Sequence, residues 1–150
     1  MSQKDKNIAL LHQIFHKIFV LLDDGDRRAL KQANTTPSQF NLLRTLNEGD
    51  TQGLTITDIS NRLLCTRGNA TRMVQRLEKQ KMVEIGNDPT DQRLVRVRLS
   101  QQGTQRLLIA EKELLNSITV RFASLEDESH QQLLTLLNQV AVDLEQELSE

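Results

Sequence analysis

Side chains suited to reading DNA bases lie along one predicted helix near the middle of the chain. Arg pairs bidentately with guanine in the major groove, and Asn or Gln with adenine. Ala70, Val74 and Leu77 have helical spacing, so the polar residues between them occupy the outer face. An ordinary solvated surface is the alternative, but only Glu78 is acidic nearby. The predicted DNA-contacting residues of this helix are Thr66, Arg67, Asn69, Thr71, Arg72, Gln75 and Arg76.

A predicted hairpin turn further along the chain offers a second kind of contact. A guanidinium on a protruding loop can enter the narrow, electronegative minor groove, and Arg93 has that placement. Asp91 would repel phosphate, so we expect it to orient Arg93 or another arginine through a charge-assisted hydrogen bond. Arg96 and Arg98 share the polar face of the adjoining strand and are candidates for backbone contacts. The predicted DNA-contacting residues of this hairpin are Asp91, Arg93 and Arg96.

Charge is distributed unevenly along the 150 residues. Residues 57–100 hold nine basic and five acidic residues, a net charge of +4. Residues 101–150 hold three basic and nine acidic residues, a net charge of −6, while residues 1–56 are nearly neutral at +1. The total charge of −1 therefore conceals a basic centre, in which both sets of candidate contacts lie.

Other site chemistries have little support. A single cysteine excludes a disulfide scaffold and a cysteine-based structural zinc site. We interpret Cys65 as a packed thiol, with a redox switch as the weaker alternative because it precedes Thr66. His12 and His16 have metal-binding spacing, but Gln13 replaces the glutamate of the zinc-protease pattern, and no third ligand is apparent. We therefore predict no metal, no cofactor and no enzymatic activity, since neither a catalytic triad nor a glycine-rich phosphate loop is evident.

Aromatic content and hydropathy exclude further classes of protein. The chain has four Phe and neither Trp nor Tyr, which disfavours sites that stack single-stranded bases. No stretch approaches the roughly 20 apolar residues of a membrane span. The polar first residues lack the apolar core of a signal peptide. We expect a soluble, cytoplasmic protein.

Hydrophobic periodicity predicts mostly helices around these features. A short break separates the helix that Thr66 caps from a preceding helix that Thr57 is expected to cap, which makes a helix-turn-helix. After a turn cluster at residues 86–89, apolar residues alternate with Arg96 and Arg98, as in a half-buried strand of a hairpin. Further elements are predicted over residues 7–33 (a helix with Gly25 as a candidate bend), from Thr36 (a helix), over residues 54–56 (a short strand), from Ser100 to about Ala123 (a helix) and from Ser124 onward (a helix).

The predicted order of helix, strand, helix-turn-helix and hairpin is that of a winged helix-turn-helix. The expected fold class is mainly α with a small β-hairpin wing, flanked by N- and C-terminal helices. Those terminal helices are too apolar to stand alone in water, so they pack on each other within one chain or against a second copy. We favour the second arrangement, because symmetric dimers are the commonest oligomers.

The same segments resemble the MarR (multiple antibiotic resistance regulator) family of winged helix-turn-helix transcriptional regulators. The aspartate-any-arginine signature of the family's wing falls on Asp91 and Arg93. It is followed at the family's offset by Leu-Ser-x-x-Gly, which here ends at Gly103. The matching segments are residues 54–60, 72–79, 88–93 and 97–103.

Three positions depart from the family pattern. Leu64 stands where a turn glycine is usual, and Lys81 stands where the recognition helix often ends in glycine. Gln92 replaces a frequent arginine beside Arg93, which should remove one backbone contact and weaken binding slightly. None of these three changes removes the fold.

The resemblance implies a homodimer that binds an inverted-repeat operator in double-stranded DNA, through the major groove and, at the wing, the minor groove. Residues 1–150 would form a single domain, with dimerisation helices at 1–34 and 101–150 and a DNA-binding lobe at 36–100. Repression is the family's usual mode, with release by a small phenolic or anionic effector, and His16 is a candidate for lining the effector pocket. Two alternatives stay open: an effector-independent DNA-binding protein, and a helical protein-interaction module that has lost DNA binding.

Overall fold

The computed structural model describes residues 2–149, which form six helices and one β-hairpin. The helices are α1 (Gln3–Gln32), α2 (Pro37–Asn47), α3 (Ile56–Arg62), α4 (Arg67–Lys79), α5 (Gln101–Phe122) and α6 (Asp127–Ser149), and the strands are β1 (Val83–Asn87) and β2 (Val95–Leu99). They fall into two compact units, the first ending at Ser117 and the second beginning at Ile118. The predicted mainly helical fold with a two-stranded wing is confirmed.

The core of the first unit lies where α2, α3, α4 and the hairpin meet. Leu42 of α2, Ile59 of α3 and Leu77 of α4 are buried together. Leu30, near the end of α1, and Leu107 of α5 belong to the same apolar cluster. α4 is therefore fixed along one apolar face, which leaves its opposite face available.

The wing is an antiparallel hairpin in which Val83 pairs with Leu99 and Ile85 with Val97. Leu54, predicted as part of a short strand, makes a single β-bridge to Val97, with N···O distances of 3.0 and 2.8 Å. Both residues are buried. The middle of β2 is thus tied to the loop that precedes α3.

Two helix starts differ from the prediction. Thr55, not Thr57, caps α3, because Asp58 lies at the third helical position and completes a capping box. The Thr55 hydroxyl accepts from Asp58 N at 3.2 Å, and Asp58 Oδ2 accepts from Thr55 N at 3.0 Å. α6 begins at Asp127, so the predicted cap at Ser124 lies outside the helix.

Each unit carries exposed apolar side chains. α1 runs unbroken through Gly25, so the predicted bend is absent, and its only buried residue is Leu30. Ile8, Leu11 and Phe19 on this helix are 55%, 55% and 68% exposed. In the second unit, α6 has no buried residue, although it carries leucines throughout its length. Within residues 2–149, no helix is long and apolar enough to cross a membrane.

Candidate nucleic-acid interface

The recognition helix α4 presents its polar side chains on one exposed face. Thr66 caps the helix, and its hydroxyl accepts from Asn69 N at 3.2 Å. Ala70, Val74 and Leu77 are at most 2% exposed, so they hold the opposite face against the core. The three arginines of α4 have no ion-pair partner among residues 2–149. The exposed members of the predicted set are Thr66, Arg67, Asn69, Arg72, Gln75 and Arg76.

Thr71 is placed differently from the other predicted contacts on α4. Its hydroxyl donates to Arg67 O at 2.9 Å, one turn back along the helix, and its side chain is half-buried. A hydroxyl that donates in this way bonds to the backbone of its own helix. Thr71 therefore borders the exposed polar face and does not project from it.

The backbone on either side of α4 adopts a conformation that favours glycine. Leu64, before the helix, has a φ of 51°, and Lys81, after it, has a φ of 59°. These are two of the three positions at which the sequence departs from the family pattern. Cys65, which follows Leu64, donates its N–H to Ser60 O at 3.0 Å and packs partly buried against the core. That placement suits a structural thiol, and the redox role stays a prediction.

Hydrogen bonds within residues 88–94, which we call the wing loop, turn the chain between β1 and β2. Asp88 N donates to Leu94 O at 2.8 Å, and Leu94 N donates to Asp91 O at 2.9 Å. Asp91 Oδ1 accepts from Arg93 N at 3.0 Å. The side chain of Arg93 is exposed, and no carboxylate in the described part of the chain pairs with it. Its guanidinium is therefore available to a ligand.

The aspartate that orients an arginine in the wing is Asp88, not Asp91. Asp88 is 3% exposed, and its Oδ1 accepts from Thr90 N at 2.7 Å, the Thr90 hydroxyl at 2.6 Å and Asp91 N at 3.1 Å. Its Oδ2 accepts from Nε of Arg96. The Thr90 hydroxyl, followed by the Arg96 guanidinium, holds the pKa of Asp88 far below its usual range. Asp88 is therefore ionised at neutral pH.

Arg96 lies near the loop end of β2 and its guanidinium turns inward, whereas the sequence predicted it on the outer polar face. Its Nη1 donates to Gly53 O at 2.9 Å, and its side chain is only 22% exposed. Arg98, on the same strand, is exposed as expected. Sequence reasoning missed the roles of Asp88 and Gly53. The Asp-x-Thr pattern is a local signal for the turn at Asp88, but no local signal indicates Gly53, 43 residues before Arg96.

A cavity of about 250 Å³ lies beside α1 and α2 in the first unit. Its charged lining residues are Asp23, Asp26 and Arg44, and Asp23 is paired with Arg27. His16, the predicted pocket residue, is exposed and is not among the lining residues. The apolar lining comes from Phe19, Leu22, Leu30, Pro37, Phe40 and Leu114.

Comparison with known proteins shows which family this geometry resembles. Residues 33–94, which span α2, the helix-turn-helix, β1 and the wing loop, match the model of the MarR family. This segment is therefore similar to the MarR family. It is 29% identical over 131 residues to the uncharacterized HTH-type transcriptional regulator YsmB of Bacillus subtilis, an alignment that covers 85% of this chain and 86% of YsmB.

Two solved structures confirm the winged helix-turn-helix fold. A putative MarR-like transcription regulator from Bacillus cereus has a TM-score of 0.81 at 20% identity, with 93% of this chain and 99% of that chain covered. A mutant of MarR from E. coli, complexed with operator DNA, has a TM-score of 0.78 at 23% identity, with the same coverage. The predicted resemblance to the MarR family is thus confirmed, and the curated relatives that the chain matches are transcriptional regulators.

Proposed function

We propose that the chain is a sequence-specific repressor that binds an inverted-repeat operator as a homodimer. The observation that carries the proposal is the exposed face of α4, whose three arginines have no ion-pair partner among residues 2–149. In a winged helix-turn-helix, such a helix enters the major groove with its N-terminal half against base edges. The proposal places the protein in the cytoplasm, with the DNA that it regulates.

The two contact regions have different proposed tasks. Arg67, Asn69 and Arg72 lie in the first half of α4 and are assigned to base edges, where their side chains match guanine and adenine. Arg93 is assigned to the minor groove beside the recognition site. The other predicted contacts are assigned to support or backbone roles: Thr66, Thr71, Gln75, Arg76 and Asp91.

Dimerisation is supported by the uncovered apolar surface of the terminal helices. Ile8, Leu11 and Phe19 are more than half exposed on α1, and Leu136 and Leu148 on α6 are 66% and 80% exposed. Extended apolar surfaces of this kind mark interaction sites. A two-fold dimer would present two copies of α4 to half-sites about one helical turn apart, roughly 34–36 Å. A dimer bound in this way would repress by occluding a promoter.

Release by a small molecule is supported by the cavity beside α1 and α2. Phe19 and Phe40 offer apolar walls for a ring, and Arg44 is the only cationic lining residue given by the described part of the chain. A small phenolic effector suits this apolar lining, and an anionic group on an effector would have to lie beside Arg44, because Asp23 and Asp26 also line the cavity. The effector would act by binding one conformation of the dimer more tightly than the other.

Selection of bound duplexes from a random pool is the experiment that tests the proposal. We expect recovered sites with two-fold symmetry and half-site centres about 10 base pairs apart. Recovery of unsymmetric sites would contradict the dimeric mode. If the protein shows no salt-dependent retention on duplex DNA, it is a protein-interaction module that has lost DNA binding.

Titration of the selected operator in the presence of phenolic and anionic compounds tests effector release. We expect at least one compound to weaken operator binding, and Arg44→Ala to reduce that response. Unchanged affinity across the panel would indicate an effector-independent DNA-binding protein. Oxidant-dependent release that persists in Cys65→Ser would exclude Cys65 as its sensor.

A further inference from the structure

One polar network ties the wing loop to the body of the DNA-binding lobe. The Asp88 carboxylate binds the loop through Thr90 and Asp91 on one oxygen and binds Arg96 on the other. Arg96 in turn donates to the carbonyl of Gly53. Gly53 directly precedes Leu54, whose backbone bridges to Val97. The network therefore connects the tip of the hairpin to the loop before α3.

The geometry leaves little freedom at either end of this connection. Gly53 has a φ of 90°, and a Cβ on it would lie 2.6 Å from Val97 O, so the peptide that carries its carbonyl is tightly confined. Asp88 is buried, and its carboxylate accepts hydrogen bonds from the wing loop and from Arg96. An arginine fork suits this task because Nε and Nη1 donate in different directions from one rigid plane.

We infer that Asp88 and Arg96, with the Gly53 carbonyl, form a clamp that fixes the wing loop and thereby positions Arg93 for DNA. Arg96 is on this inference a positioning residue and not a phosphate contact. Besides the bonds to Asp88, the hydrogen bonds of the wing loop within residues 2–149 are those between its own backbone groups and the one that Asp91 Oδ1 accepts from Arg93 N. Without the clamp, the loop that bears Arg93 would have to become ordered when DNA binds. That loss of conformational entropy would lower the affinity for the operator. The inference rests on the proposed DNA binding.

Asp88→Asn tests the clamp because it changes one oxygen and keeps the turn. Asparagine keeps one oxygen that can accept from Thr90 and Asp91, and it is common in such turns. Its NH2 group, however, is a donor and would face the Nε–H of Arg96, so the hydrogen bond to Arg96 is lost. We expect operator affinity to fall about tenfold, although the substitution removes a negative charge close to DNA. Glu84→Gln is the matched control, since it removes a charge from an exposed position of β1 and should leave affinity unchanged or slightly higher. Asp88→Asn binding as tightly as Glu84→Gln would overturn the inference.

A double-mutant cycle separates positioning from direct contact. If Arg96 acts through Arg93, Arg96→Gln weakens operator binding in the wild-type background and changes it less than about twofold in Arg93→Ala. If Arg96 instead binds phosphate, Arg96→Gln reduces the salt slope by about 0.9 in both backgrounds. The second result would overturn the inference.

Amide hydrogen exchange of the free protein tests the clamp without DNA. We expect the amides of Arg93 and Leu94 to exchange faster in Asp88→Asn than in wild type and Glu84→Gln, with α4 unchanged. Equal exchange in all three proteins would overturn the clamp even if operator binding is normal. Faster exchange in a protein that selects no operator would instead contradict the proposed function and leave the clamp standing as a structural device.

Discussion

α4 and the wing loop serve one proposed task, yet they are held by opposite kinds of contact. α4 rests on Ala70, Val74 and Leu77, which are buried in the common core. The wing loop has no such apolar anchor, because Leu94 is exposed and the loop depends on the carboxylate of Asp88. The buried apolar side chains of α4 contact the core that stabilises the whole lobe, and hydrophobic burial has no preferred direction. The hydrogen bonds to Asp88 act only on the groups that they join. We therefore expect changes under α4 to act on global stability and changes at the wing to act locally.

The largest effect should come from the apolar anchor of α4. Leu77→Ala removes a side chain that is 1% exposed, and we expect the free energy of unfolding to fall by about 2–5 kcal/mol. Glu78→Ala, at the exposed neighbouring position, should change it by less than about 0.5 kcal/mol. Denaturant unfolding of both variants measures the difference. Similar losses in the two variants would contradict the assignment of the buried face.

A smaller loss is expected at the base of the wing, where Gly103 of α5 meets the backbone. A Cβ on Gly103 would overlap the carbonyl oxygen of Met82, so Gly103→Ala forces the end of the hairpin away from α5. We expect a loss of about 1–3 kcal/mol in the free energy of unfolding. Gly68→Ala, in α4, meets no atom within 4 Å and should be neutral or stabilising. Thermal unfolding of the two variants measures the difference. Equal unfolding temperatures for Gly103→Ala and Gly68→Ala would contradict this explanation.

The two proposed DNA contacts should fail in different ways. Arg72→Ala should reduce discrimination between the selected operator and random DNA by about 1–3 kcal/mol, since it removes a base contact. Arg93→Ala should weaken binding to both and lower the salt slope by about one. Fluorescence anisotropy across a salt series distinguishes these results. If Arg72→Ala weakened binding to the operator and to random DNA equally, Arg72 would contact phosphate and not a base.

The smallest change in stability is expected at the left-handed positions, and it should be a gain. Lys81→Gly removes the steric strain of a side chain at a φ of 59°. Glycine also increases the conformational entropy of the unfolded chain, which offsets part of that gain. We expect a net increase of about 0.5–1 kcal/mol in the free energy of unfolding. Lys79→Gly, within α4, should instead lower it by about 1 kcal/mol. A loss in Lys81→Gly would show that the lysine side chain stabilises the turn.

The polar anchor of the wing also predicts a dependence on pH. The pKa of Asp88 is lowered in the folded protein, so its ionised form stabilises the fold above the ordinary aspartate pKa of about 4. As the pH falls below that value, the unfolded chain binds the proton first and this stabilisation is lost. Asp88→Asn should therefore weaken the acid dependence of unfolding between about pH 4 and pH 2. An identical acid profile in the variant would contradict the role of this carboxylate.

Whether a region could be predicted depends on how far apart in the sequence its interacting residues lie. The face of α4 was predicted because Ala70, Val74 and Leu77 repeat at the helical period within twelve residues of Thr66. The cap of α3 was misplaced by two residues, because Thr55 and Thr57 both fit a cap and the capping box with Asp58 decides between them. The position of Arg96 could not be predicted, since alternation places it on the polar face, whereas Asp88 and the Gly53 carbonyl together draw its guanidinium inward.

Local periodicity and short motifs were enough to predict the element order, the exposed face of α4 and the resemblance to the MarR family. The sequence also marked Leu64 and Lys81 as unusual, and both proved to have a positive φ. Which aspartate holds an arginine depends instead on tertiary packing. Asp88 and Asp91 lie in the same turn, and Asp88 is chosen because folding buries it beside Arg96 and brings the Gly53 carbonyl within reach. Contacts between residues distant in sequence depend on the packed core, and no local pattern encodes them.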